Sequence, residues 1–149
     1  MTSKVLKKVL SLMLCLTLAV ALAAPCFAQG NERVIASYSE DLGNGITAVT
    51  TITQTVTRST TSTTKATNYY SGGQYIGQAA LYGSFYYDGS TARATEAIGT
   101  GSGSNGWSYG GQSTGTSGNR AYLNATLSNG SRSVPVSLSL TCSPSGSIS

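Results

Sequence analysis

The chain has 149 residues, a formal net charge of +4 and no histidine. The missing imidazole excludes Ser-His-Asp and Cys-His catalysis, histidine zinc sites and the usual general base near neutral pH. Beyond residue 28 the chain's six cations are spread singly along the sequence, without the clustered basic face that nucleic-acid binding needs.

The first predicted element is a secretory signal over residues 1–28. Lys4, Lys7 and Lys8 form a positive start, and residues 9–24 are uncharged and rich in Leu, Val and Ala. Pro25-Cys26-Phe27-Ala28 closes the stretch, with small residues Cys26 and Ala28 placed for a cut between Ala28 and Gln29. The apolar run is short for a membrane span and ends at a helix-breaking proline. A secreted protein with no membrane anchor after cleavage is therefore expected. Beyond residue 28 the cations are Arg33, Arg58, Lys65, Arg93, Arg120 and Arg132, and the anions are Glu32, Glu40, Asp41, Asp88 and Glu96, a balance of +1. A surface so close to neutral resists association poorly, so self-association is open to it.

Residues 29–149 fit one domain. An opening strand is expected over residues 33–41, then a turn at Leu42-Gly43-Asn44-Gly45. From Ile46 to Arg58 the even positions carry Ile46, Ala48, Ile52 and Val56 against mostly threonine, the period of a half-buried strand. Residues 59–64 are a Ser/Thr run, read as a loop or a polar edge strand, and Lys65–Tyr70 as the next strand. The clearest strand spans 75–87. Tyr75, Gly77, Ala79, Leu81, Gly83, Phe85 and Tyr87 fall on one face, with Ile76, Gln78, Ala80, Tyr82, Ser84 and Tyr86 on the other. Asp88-Gly89 is a hairpin turn into a strand over 90–98.

Gly99–Gly106 shows no side-chain pattern and is read as a flexible loop. Trp107–Gly111 is a short strand, with Trp107 as a core anchor, and Gly115–Asn119 a turn. Ala121, Leu123, Ala125 and Leu127 alternate with polar residues up to the Asn129-Gly130 turn. Val134, Val136, Leu138 and Leu140 then mark a last strand that Pro135 places at a sheet edge. Residues 143–149 are expected to form a loose tail. Seven or eight short strands with no long amphipathic helix predict an all-β fold, a single antiparallel β-sandwich, with a small β-barrel as the alternative.

No catalytic constellation accompanies this pattern, so an enzyme is not expected. Glu40 and Asp41 alternate across a strand, Asp88 belongs to a turn and Glu96 stands alone. A two-carboxylate site needs two acids facing one cleft, and a calcium site needs several oxygen donors. No cofactor or metal is expected. Cys142 is left without a partner within residues 29–149, either as a small buried residue or as a free thiol open to pairing between chains. The remaining signal is aromatic. If Leu81 and Phe85 face inward, Tyr82 and Tyr86 face outward together, with Gln78 on the same face and Tyr70 at the end of the preceding strand. Tyrosine offers rigid contact area with a polar tip, which makes these four residues the candidate binding surface.

Three segments carry a resemblance: Leu81-Tyr82-Gly83-Ser84-Phe85-Tyr86-Tyr87-Asp88-Gly89-Ser90-Thr91-Ala92, then Trp107-Ser108-Tyr109, then the closing Leu138-Ser139-Leu140-Thr141-Cys142-Ser143-Pro144-Ser145-Gly146. Together they resemble a group of small exported β-rich proteins from Gram-positive bacteria, a likeness that carries no functional residues. A more distant similarity is to bacteriocins of the lactococcin 972 type, which are also short, secreted and β-rich. The expected function is surface contact without catalysis, with envelope glycan or another protein as partner. A self-assembling matrix protein and a bacteriocin-like antagonist are the alternatives.

Overall fold

The computed structural model describes residues 31–149, so the signal segment and the Ala28/Gln29 cut lie outside the described residues. Eight strands follow one another: β1 (Arg33–Gly43), β2 (Ile46–Val56), β3 (Thr60–Ser71), β4 (Gln74–Tyr87), β5 (Ala92–Gly103), β6 (Ser108–Ser117), β7 (Arg120–Ser128) and β8 (Ser133–Thr141). Strands β1 to β5 form one antiparallel sheet in chain order, and β6 to β8 form a second. Neither sheet closes into the barrel held as an alternative; the fold is an all-β sandwich. Every link between neighbours within a sheet is a short reversal of the chain. At the first, Asn44 and Gly45 take φ of +53° and +73°, the left-handed values a tight hairpin requires. At Asp88 the side chain builds the turn: its Oδ1 accepts from the Ser90 and Thr91 amides at 2.9 and 2.7 Å. These bonds hold its carboxyl below the usual range.

The core lies between the sheets. Ile46, Ala48 and Ile52 of β2 enter it with Ala79, Leu81 and Phe85 of β4, against Leu123 and Leu127 of β7 and Val136 and Leu140 of β8. Trp107 is buried at its margin. The period of two on β2, β7 and β8 is the physical reason these strands have one wet and one dry face.

Three segments depart from the sequence reading. The Ser/Thr run at 59–64 is neither loop nor edge: it opens β3, the central strand of the larger sheet. Threonine suits a pleated strand, and a buried hydroxyl is tolerated when it is bonded. Thr61 Oγ1 accepts from Gln54 Nε2 at 3.0 Å, and the hydroxyls of Thr50 and Thr67 stand 2.8 Å apart across β2 and β3. On β4 a register shift falls between Tyr69 and Tyr70 of its β3 partner, so Ile76 is an extra residue. Ile76 turns into the core and Tyr75 pairs with Tyr70 instead of facing inward.

The segment read as a flexible loop, Gly99–Gly106, is mostly strand: β5 runs on to Gly103. Its glycines alternate because the second sheet leaves no room there. A Cβ on Gly99 would overlap Leu123, one on Gly101 would overlap the Tyr109 ring, and one on Gly103 would overlap the Trp107 carbonyl. The predicted turn at Gly115–Asn119 is shorter than expected, since β6 continues to Ser117.

The tail expected to be loose is docked. Thr141 and Ser149 exchange backbone hydrogen bonds at 2.8 and 3.0 Å, the Gly89 amide donates to the Pro144 carbonyl, and Gln54 Nε2 donates to the Gly146 carbonyl. Glycine at 146 lets the backbone sit against the Tyr87 ring and cover the polar pair Gln54 and Thr61. Cys142, bridged to Ile148, is fully buried beneath this turn, and burial pushes its thiol pKa up.

The two sheets differ in width, and this shapes the surface. The smaller sheet packs over β3, β4 and β5. One side of the sandwich is closed by a corner where the Ala94 amide donates to the Gly118 carbonyl and Gln112 Nε2 to the Gly99 carbonyl. On the opposite side β1 and β8 are free edges. Arg132 bridges that side at one end, donating to the Asn44 carbonyl at 2.5 Å and to Ser71 Oγ at 3.3 Å. Both edges carry features that discourage pairing with another chain: register irregularities at Val34/Ala36 and Asp41/Gly43 on β1, and Pro135 on β8.

Candidate functional site

The outer face of the five-stranded sheet holds all four residues singled out from the sequence. Strand parity fixes this: Leu81 and Phe85 are fully buried, so Gln78, Tyr82 and Tyr86 point away from the core. Tyr70 joins them by the parity of β3, where Tyr69 faces inward, and the extra residue at Ile76 brings Tyr75 to the same face. Their rings meet edge to face, with centroids 5.8 Å apart and planes at 67°. Tyr82 lies between Thr64 of β3 and Ile98 of β5, and its hydroxyl donates to Ser62 Oγ at 3.1 Å. Tyr86 lies between Thr60 and Arg93, whose guanidinium sits 5.4 Å from the ring centroid.

These residues form a row, and only Tyr86 at its end also lines a depression, of about 280 Å³ beside Arg58 and Asp88. Gln78, Tyr82 and Tyr86 are each four positions apart on one strand, about 13 Å per step at strand rise. The whole line from the Tyr70/Tyr75 pair to Tyr86 is on the order of 35 Å long. Beside it runs a feature the sequence reading missed. Thr53, Thr64 and Tyr82 stand abreast on β2, β3 and β4, and Thr55, Ser62 and Ser84 form the next rank. The threonines of β2 are legible as one polar face, but the expectation of a loop or a polar edge strand at residues 59–64 hides their partner rank. Ile98 is a second missed contributor, an isoleucine 49% exposed beside Tyr82.

Charge is sparse here: Arg93 and Glu96 lie on β5 at the margin of the row. Among the described residues no three His, Cys, Asp or Glu side chains stand close enough to hold a metal ion. Cys142 lies in the core, away from this face.

The most strongly shifted tyrosine is on the other side of the sheet. Tyr69 faces inward, and burial, with smaller contributions from Tyr109 and Glu40, pushes its pKa from 10.0 up to about 12. The neutral phenol is thus favoured in the folded state. Below pH 10 the contribution is constant; above it the unfolded chain releases this proton and the folded chain keeps it. Stability is expected to fall as pH rises from 10 toward 12, at no more than about 1.4 kcal/mol per pH unit from this group. Urea denaturation at stepped pH checks this. Tyr69→Phe should flatten that part of the profile, and an unchanged profile would contradict it.

The fold and this row together define an antiparallel β-sandwich with an extended polar and aromatic face. No protein-family model, curated protein or solved structure matches the chain.

Proposed function

We propose that the protein is an exported, non-catalytic module that binds an extended glycan of the cell envelope along the outer face of its larger sheet. The observation that carries this reading is the shared orientation of Gln78, Tyr82, Tyr86 and Tyr70 on one face, with ranks of threonine and serine hydroxyls alongside. Sugar rings present apolar C–H faces and a rim of hydroxyls. Tyrosine rings complement the first, and Thr, Ser and Gln complement the second. A row tens of ångströms long suits a chain lying along it, not a small molecule that must be enclosed. The near absence of charge on the row agrees with a neutral ligand. The blunted edges of β1 and β8 weigh against assembly through added strands as the main activity.

The test is retention of the purified protein on insoluble cell wall and on a panel of polysaccharides, with a Tyr82→Ala/Tyr86→Ala double variant alongside. The native protein is expected to be retained, and the variant, folded by circular dichroism, to be lost by about tenfold or more, since each removed stacking partner is worth about 1 kcal/mol. Equal retention of both would remove the tyrosine row from the mechanism. No retention of either would remove the glycan.

A further inference from the structure

A second surface is independent of that row and lies on the opposite face of the same sheet. The smaller sheet packs over β3, β4 and β5 and leaves the inner side of β1 beyond its edge. The docked tail covers part of the remainder, at Gln54 and Thr61. What is left is a cleft of about 260 Å³ between that inner face and the free edge of β8, where Pro135, Ser137 and Leu138 form one wall. Its floor is Ala48, Thr50, Thr67 and Tyr69.

The two ends of the cleft carry opposite charges. Lys65 shares the inward parity of β3, opposite Ile52 and Leu81, so its ammonium enters from the core side of the sheet and not from the outer face. Glu40, on β1 opposite Ala48, lines the other end. They do not form a pair. Glu40 and Lys65 are two strands apart and offset by four residues along them, which places their Cα atoms about 16 Å from each other. Tyr69 stands in the same rank as Glu40, two strands away, is only 3% exposed and lines the cleft. The buried side-chain atoms without a partner among the described residues are Thr63 Oγ1 and Thr114 Oγ1, so the Tyr69 hydroxyl is not an orphaned group. A lysine stem covering Ile52 and Leu81 accounts for Lys65 alone. It does not account for the carboxylate at the far end.

We propose that this cleft binds a short extended peptide of about four residues, with its carboxyl terminus at Lys65 and its amino terminus at Glu40. An extended chain spans about 3.3–3.6 Å per residue, so four residues reach between the two side-chain charges once the side chains lean inward. The Tyr69 hydroxyl, at the floor, meets a backbone carbonyl or amide of the peptide.

The test uses the purified protein and tetra-alanine as probe, followed by amide chemical shifts. Free tetra-alanine is expected to move the signals of Thr50, Thr67 and Tyr69. Amidating its carboxyl or acetylating its amine should each weaken binding about tenfold or more, because each removes one charge-assisted contact. Lys65→Met should abolish sensitivity to amidation and keep sensitivity to acetylation; Glu40→Gln should do the reverse. The comparison of free and capped peptides on the unaltered protein stands even if a variant fails to fold. Binding indifferent to either cap, or shifts absent from the cleft at millimolar peptide, overturns the proposal. Neither result bears on the tyrosine row, whose failure is read separately from polysaccharide retention.

Discussion

Phe85→Ala is expected to lower stability by about 3–5 kcal/mol, the cost of a large cavity in a core that cannot collapse around it. Phe85 has no exposed surface and pairs with Thr61 on one side and Ala94 on the other, so both neighbours are small. The ring occupies the space this leaves, extending over Gly83, where an added Cβ would stand only 2.8 Å from ring carbon Cε2. Within its own sheet the ring is bounded by backbone and small side chains, which cannot reach across the volume its removal leaves. A domain of this size has about 5–15 kcal/mol of stability in total, so the loss is about a fifth of it or more. Urea denaturation should show the midpoint falling with the slope unchanged. Ile98→Ala, on the outer face, is the control and should cost less than about 1 kcal/mol, because half of that side chain is already in water. Equal effects at the two positions would mean that Phe85 is not the keystone of the sheet-to-sheet contact.

Much of this arrangement is legible in the order of residues, and the failures share a cause. The alternations at Ile46–Ile52, Ala121–Leu127 and Val134–Leu140 announce strands because each has one apolar face, and all three enter the core as expected. Pro135 marks an edge because it lacks an amide to donate, and β8 is an edge. The outward direction of Tyr82 and Tyr86 follows from parity alone once Phe85 is placed inside. Parity fails where the inward residue is not apolar. Thr61, Thr63 and Thr67 are buried, yet they look identical to the exposed Thr60. Reading residues 60–71 as one strand would have put Lys65 on their inward face. The division at Lys65 hid it.

The extra residue at Ile76 was hidden for a different reason, since a register shift is a property of two strands and not of one. The docking of residues 143–149 depends on contacts with Gln54 and Gly89, far away in sequence. The cleft exists only because one sheet is wider than the other, which no local pattern records.

The glycines of β5 offer the sharpest test of how closely the sheets approach, and Gly103→Ala is expected to cost about 3 kcal/mol. Gly103 has an ordinary backbone conformation, so alanine brings no torsional penalty and the expected cost is purely steric. The added carbon would overlap the Trp107 carbonyl oxygen and stand 2.6 Å from its carbon and 2.8 Å from Ser108 Cα. All three are backbone atoms, held by the Trp107 amide bond to the Ser104 carbonyl at 3.0 Å and by the pairing of Ser108 with Ser128. No side chain can swing aside. The corner between β5 and β6 must open, and with it the seat of Trp107. Overpacking of this kind costs about 1–3 kcal/mol when neighbours can yield and more when they cannot. Gly110→Ala is the matched comparison, a glycine in β6 with nothing within 4 Å of the new carbon. There the change should be neutral or slightly stabilising, within about 0.5 kcal/mol, because alanine lowers the entropy of the unfolded chain. Thermal unfolding of the two variants, with Trp107 fluorescence as reporter, separates them. An early transition with Trp107 more exposed is expected for Gly103→Ala alone. If both variants unfold with the native protein, the alternating glycines are not dictated by the approach of the second sheet, and the closed side of the sandwich is looser than its contacts imply.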